Sequence, residues 1–255
     1  MASVIVTTSA FGADQVMERG QLHFVPIVAD AGGNGIEIRR ELFANEPFPL
    51  KELRDVIHKH QLTAVYSAPE QIWEEDGKLN SEGIRATIQE GVSIGTSIIK
   101  MPLGDYRPDH SDLQLLKHIL GEYNLHDSGI QFTVENDQTF CGGRIEKLRE
   151  FLTRCKENDV PVKMTFDIGN WIWTDTNRFD AAEQMKEYVV YIHCKHVVQI
   201  SGINETLPLP SALHSEWRQL LSMFPSDIPR AIEFPLNGSD ITDTTAEYVQ
   251  LLAHA

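Results

Sequence analysis

Four short apolar runs in the second half of the chain each end in a residue able to bind a metal through oxygen or nitrogen. Ile130-Gln131-Phe132-Thr133-Val134 leads into Glu135, Met164-Thr165-Phe166 into Asp167, Tyr191-Ile192 into His193, and Ala231-Ile232 into Glu233. A charged group at the end of a buried strand is costly unless something pairs with it. The four recur at roughly the spacing of one strand-helix unit, about 30 residues in a (β/α)₈ barrel. Few folds place four such strand ends around one point, and a closed parallel barrel is the simplest of them.

The rest of the chain carries the same alternation. Strands are expected at 3–7, 36–39, 62–67, 97–101, 130–135, 162–167, 189–195 and 230–234. Helices are expected at 13–31, 50–60, 81–91, from Asp109 to near Gly129, and at 142–157, 178–188, 212–222 and 241–253. Eight strand-helix alternations with short connections argue for a single-domain (β/α)₈ TIM barrel over residues 1–255. The longest connection, 197–211, follows strand seven and carries Gly202, Pro208 and Pro210. It is expected to be a lid or an interface loop.

Bulk properties narrow the partners. The chain has 255 residues, 22 basic against 37 acidic, and a net charge of −15. Such a field repels phosphate backbones, so nucleic acid is not the expected partner. Cys141, Cys155 and Cys194 lack metal-type spacing and cannot all pair, which fits a reducing cytoplasm. The amino-terminal stretch lacks the basic and apolar regions of a signal peptide, and no apolar run is long enough to span a bilayer. A homo-oligomer is compatible with these properties.

Strand parity sharpens the site. Alternate residues of a barrel strand point inward, and Glu37, Arg39, Lys100, Glu135, Asp167, His193, Lys195 and Glu233 all fall on the inward class. The expected metal donors are Glu135, Asp167, His193 and Glu233. Three carboxylates with one imidazole suit Mn²⁺ or Mg²⁺, with Zn²⁺, Co²⁺ or Fe²⁺ as further options. Glu135 and Glu233 are the candidate acid/base pair, and Lys100 a candidate for stabilising an oxyanion. Glu37, Arg39, Lys195 and Trp171 are candidate substrate contacts. Two strand-end lysines against this donor set favour an anionic sugar acid or sugar phosphate. Trp171 and Trp173 are candidates for the wall of a sugar-sized pocket, with core packing as the alternative, and Tyr66 and Trp73 are weaker candidates of the same kind. His58, His60, His196 and His214 have no spacing that calls for metal.

The motifs V-E-N-D-Q-T, F-D-I-G-N-W, Y-I-H-C-K-H and A-I-E-F-P-L, with G-I-E-I-R-R-E-L and I-I-K-M-P-L-G, resemble the xylose-isomerase-like TIM barrels. That superfamily contains sugar phosphate isomerases and epimerases, and the resemblance covers essentially the whole chain. The R-G-Q and W-E-E-D-G-K-L stretches look most like epimerases of 2-ketogluconate utilisation operons. The resemblance implies a divalent metal on Glu135, Asp167, His193 and Glu233, with the two glutamates doubling as acid and base. The implied reaction is proton transfer next to a carbonyl of a small sugar or sugar acid, through a metal-held enediolate. Dehydration of an inosose- or shikimate-like ring, or non-catalytic binding of a sugar acid, are the alternatives. The abasic-site endonucleases of the superfamily use further histidines at strands three and four, where this chain has Y-S-A-P-E and K-M-P-L-G. It departs from the common pattern at His196, Asn170 and Asp137-Gln138, where many members have Asp, a substrate-contacting His, and His-Pro, so the resemblance implies a substrate contact for Asn170 as well. Those departures leave the metal donors intact but not the identity of the substrate.

Overall fold

The computed structural model describes residues 2–255 other than the side chain of His126. Its strands and helices, in chain order, are β1 (Val4–Thr7), α1 (Ala13–Arg19), α2 (Phe24–Asp30), β2 (Gly35–Arg39), α3 (Leu50–Lys59), β3 (Thr63–Ser67), α4 (Ser81–Ile94) and β4 (Ile98–Pro102). There follow α5 (Leu113–Glu122), α6 (Leu125–Ser128), β5 (Gln131–Glu135), α7 (Ile145–Glu157), β6 (Val162–Asp167), α8 (Arg178–Met185) and β7 (Val189–Cys194). The chain closes with β8 (His196–Ile200), β9 (Ile203–Leu207), α9 (Glu216–Leu221), β10 (Arg230–Ile232) and α10 (Ile241–Ala253). Eight parallel strands close in the order β1-β10-β7-β6-β5-β4-β3-β2, so the fold is a single-domain TIM barrel. Among the described residues, no helix is long and apolar enough to cross a membrane.

Local chemistry sets the helix ends. Asn80 caps α4 by accepting the Gly83 N–H (2.9 Å), and Asp112 caps α5 through the Leu115 N–H (3.0 Å). Asn177 and Asp240 cap α8 and α10 in the same way. The buried face of α7, with Leu148, Phe151, Leu152 and Cys155, shows the helical spacing that packs it on the barrel.

Two expected elements break where backbone chemistry overrides apolar spacing. The helix expected over 13–31 is interrupted at Gly20, whose φ of 77° a side chain would strain. A 3₁₀ turn, Gln21–His23, follows the break and buries Gln21. The helix expected from Asp109 to near Gly129 starts only after its Asp112 cap and breaks at Asn124, which has φ 47°. The connection 197–211 is also more ordered than expected. It contains the antiparallel hairpin β8–β9, paired from His196↔Leu207 to Ile200↔Ile203 and turning at Ser201 and Gly202.

The barrel interior runs from apolar floor to charged mouth. Ile5, Val65, Ile98, Tyr191 and Ala231 form a small inner cluster of their own, separate from the large core between strands and helices. Above it lie hydroxyls: Thr133 and Thr165 are 2.8 Å apart, and Thr7 donates to the Ile232 carbonyl at 2.9 Å. A bulge between β6 and β7 pairs Met164 with Val189 but Thr165 with Tyr191. The residue it passes over, Val190, lets Val189 face the helices while Tyr191 and His193 face inward.

Candidate metal centre

Register brings the inward residues to one level. Asp167 pairs with His193, Glu135 with Thr165, and Thr7 with Glu37. Lys195 and Glu233 lie one residue past β7 and β10, where the chain leaves the ladder for the mouth. One donor atom from each of Glu135, Asp167, His193 and Glu233 lies within 4.8 Å of the other three. His58, His60, His196 and His214 are not among them.

Each of the three carboxylates has one oxygen tied and the other turned to the centre. Glu135 gives Oε2 to Lys100 Nζ, and its Oε1 stands 2.8 Å from His193 Nδ1. Asp167 Oδ1 accepts the N–H groups of Gly169 (2.7 Å) and Asn170 (2.8 Å), leaving Oδ2 inward, 2.8 Å from Lys195 Nζ. Glu233 gives Oε1 to Arg39 Nη1 (2.9 Å), and its Oε2 lies 3.0 Å from both Lys195 Nζ and His193 Nδ1. Asn136 locks the backbone of Asp167 with a pair of hydrogen bonds at 2.8 and 2.9 Å. Gly169 has to be small, because a Cβ there would stand 2.6 Å from Lys195 Cγ.

The imidazole is oriented from behind. His193 Nε2 lies 2.8 Å from Glu37 Oε2, which also accepts the Tyr191 hydroxyl at 2.8 Å. Nδ1 is thereby left for the centre, the carboxylate-imidazole arrangement that fixes a metal-binding histidine. Burial works against ionising Glu37, but the charges of His193 and Lys100 outweigh it and hold its pKa down. Burial raises the Tyr191 hydroxyl pKa, and Glu37 raises it further, so Tyr191 stays a donor.

The electrostatics call for a cation. Burial disfavours an imidazolium at His193, yet Glu233, Glu37 and Glu135 more than offset it and raise its pKa well above the ordinary range. Burial pushes the Asp167 carboxyl up to about 7, with Lys195 opposing and Glu233 and Glu135 adding to the rise. Glu135 Oε1, Asp167 Oδ2 and His193 Nδ1 are buried and make no directed hydrogen bond to protein. Glu135 Oε1 and His193 Nδ1 face each other at 2.8 Å, and Asp167 Oδ2 has its ion pair with Lys195. Buried polar atoms left without hydrogen bonds are costly, and a divalent ion held among them would satisfy all three. One oxygen from each of three carboxylates plus an imidazole nitrogen fits Mn²⁺, Mg²⁺, Zn²⁺, Co²⁺ or Fe²⁺ better than Ca²⁺, which gathers more oxygens, often pairwise.

The structure places the remaining candidates differently. Lys100, Lys195 and Arg39 reach the centre, each ending on a carboxylate. Asn170 lies beside the centre, donating to the Asn136 carbonyl at 2.8 Å while its own oxygen accepts from Gln138 at 3.3 Å. Trp171 does not wall the mouth: it is fully buried in the outer core, its ring 5.5 Å from that of Phe166. Trp73 packs on Tyr106 and Phe151. Tyr66, on the outward parity, donates to Glu90 of α4 at 2.7 Å. Trp173 is 39% exposed. Sequence reasoning missed Asn136, Tyr191 and Gln21 as supports. Asn136 and Tyr191 lie within two residues of a strand-end charge, whereas Gln21 carries no such local signal.

A TIM barrel with a buried cluster of carboxylates and histidine at the carboxyl ends of its strands defines the class. The chain belongs to the xylose isomerase-like TIM barrel family, whose model matches residues 25–222. No curated protein sequence matches it significantly. Among solved structures, D-psicose 3-epimerase from Clostridium cellulolyticum H10 is similar, with TM-score 0.70, 12% identity, and 99% and 98% of the two chains covered. A 3-keto-D-glucoside 4-epimerase from E. coli has TM-score 0.65 and 14% identity, covering 100% of both chains. A probable 3-DHS dehydratase from Bacillus anthracis has TM-score 0.67 and 13% identity, with 99% and 98% covered. At these identities the likeness is one of fold.

Proposed function

We propose that the chain is a divalent-metal-dependent isomerase or epimerase of a keto sugar, with Glu135 and Glu233 as its acid/base pair. The observation carrying this reading is the difference in access among the four donors. The side chains of Glu135 and Glu233 are 11% and 12% exposed, whereas those of Asp167 and His193 are 0% exposed. The two glutamates also come from β5 and the end of β10, on either side of β6 and β7 in the barrel order. They therefore face a substrate in the mouth from two sides.

A bound divalent ion would polarise the substrate carbonyl and a neighbouring hydroxyl, making the adjoining carbon acidic. One glutamate takes that carbon's proton and the other returns a proton, to the opposite face for epimerisation or to the neighbouring carbon for isomerisation. Lys100 holds the tied oxygen of Glu135, Lys195 lies against the inward oxygens of Asp167 and Glu233, and both add positive charge where an enediolate would develop. Five carboxylates (Glu37, Glu41, Glu135, Asp167, Glu233) face three cations (Arg39, Lys100, Lys195), so a divalent ion would bring the cluster close to neutral.

The pairing also bears on the substrate. A sugar acid or sugar phosphate would have to draw Lys100 or Lys195 away from a carboxylate, whereas a neutral keto sugar leaves the pairs intact. The sugars for which the similar D-psicose 3-epimerase and 3-keto-D-glucoside 4-epimerase are named are neutral, which supports that class. The test is a screen of metal-loaded protein against keto sugars and keto sugar acids in heavy water. Deuterium entering at a carbon next to the carbonyl is expected, and is lost in Glu135→Gln. Release of water with formation of a double bond would instead mark a dehydratase, and binding without exchange a non-catalytic sensor.

A further inference from the structure

The Glu233 carboxylate has a support that reaches well outside the centre. Gln21 is buried, 2% exposed, in the 3₁₀ turn that follows the break at Gly20. Its Oε1 accepts the Thr8 hydroxyl at 2.7 Å and the Arg39 N–H at 2.8 Å, while its Nε2 donates to the Arg39 carbonyl at 2.8 Å. One amide thus grips both polar backbone groups of the last residue of β2. From that fixed point the Arg39 guanidinium spans three carboxylates: Glu233 (2.9 Å), Glu37 (3.2 Å) and Glu41 (2.8 Å). A guanidinium is a rigid fork, so fixing its base fixes the direction of each bond it donates. Glu233 needs such a fixture because it lies past the end of β10, with its carboxylate partly open to the mouth.

We infer that Thr8 and Gln21 form a strut through which Arg39 aims Glu233, withholding Oε1 and presenting Oε2 to the metal position. Arg39 and Gln21 are then positioning residues of the centre, and Gln21 acts only through Arg39. The inference rests on the metal-centre reading given above for what the aimed oxygen does, but not for the aim itself.

Two variants separate aim from charge. Arg39→Lys keeps the positive charge and loses the fork, and Gln21→Met removes the backbone grip without changing charge. Isothermal titration with Mn²⁺ is expected to show affinity falling about tenfold in each, the usual scale for groups that orient a metal-binding side chain. The double variant is expected to bind no worse than Arg39→Lys alone, because the two act in series. If Arg39 served only as a charge, both single variants would bind Mn²⁺ as the wild type does, and the strut would be overturned. Crystal structures of the metal-free proteins give a second readout. Glu233 is expected in one conformer in the wild type and in more than one in Gln21→Met or, should that variant not fold, in Arg39→Lys. An unmoved, single Glu233 conformer in the variants would overturn the strut. Failure of wild-type protein to bind Mn²⁺, with the conformer change present, would overturn the metal reading and leave the strut standing.

Discussion

Strands β5, β6, β7 and β10 bring the donor atoms to the mouth, whereas β1 to β4 and their loops bring most of the charged groups that hold those donors in place. The donor half supplies Glu135, Asp167, His193 and Glu233. The holding half supplies Glu37 behind the imidazole, Lys100 on Glu135, and Arg39 with Gln21 on Glu233. Removing a residue of the donor half deletes a donor. Removing one of the holding half leaves every donor present but free to turn, and catalytic sites lose much of their power when geometry loosens by an ångström or so.

The comparison predicts graded effects. Glu135→Gln should cost the most in turnover, about 10²–10⁴-fold, the usual contribution of a positioned acid or base. Proton exchange from substrate into heavy water, followed by NMR, measures it, and an unchanged rate would remove Glu135 from the chemistry. His193→Ala should weaken Mn²⁺ binding by well over tenfold in titration calorimetry. Glu37→Gln keeps all four donors, so it should cost less, within about 10–100-fold in the same titration. A loss as large as that of His193→Ala would erase the distinction between the two halves.

Stability gives a further contrast. Trp171→Ala should lower unfolding free energy by about 3–5 kcal/mol, as expected for a buried aromatic in a packed core. Ile203→Asp, at the exposed hairpin, should change it by no more than about 0.5 kcal/mol. Urea unfolding of the two variants decides this; a Trp171→Ala protein as stable as wild type would return that ring to the pocket wall. The smallest expected effect is none. Purified, metal-loaded protein should not cleave an abasic DNA duplex, and specific cleavage abolished in Glu135→Gln would contradict the small-substrate reading.

The donor half was the more legible in the sequence because its signal is periodic. An apolar strand ending in Glu135, Asp167, His193 or Glu233 announces itself each time, and parity assigns the side chain to the inside. The holding half depends on contacts between distant segments, which no local pattern encodes. Gln21 meets Arg39 across 18 positions, and Tyr191 meets Glu37 across 154. Trp171 was ambiguous for the opposite reason: it follows a functional strand end, but the 3₁₀ turn 170–172 swings it into the outer core beside Phe166. The helix expected over 13–31 failed at Gly20, where apolar spacing continues but the backbone turns. That turn is what buries Gln21. The hairpin in 197–211 was hidden because its strands are short and half-exposed, and its pairing supplies order that composition alone does not suggest.

The central claim is that four donors from consecutive barrel strands hold one divalent ion, each through a single atom. Anomalous diffraction from crystals soaked in Mn²⁺ tests it most directly. The account predicts one strong peak per chain, bound by Glu135 Oε1, Asp167 Oδ2, His193 Nδ1 and Glu233 Oε2. A peak elsewhere, coordination through His193 Nε2, or no peak at all would contradict it.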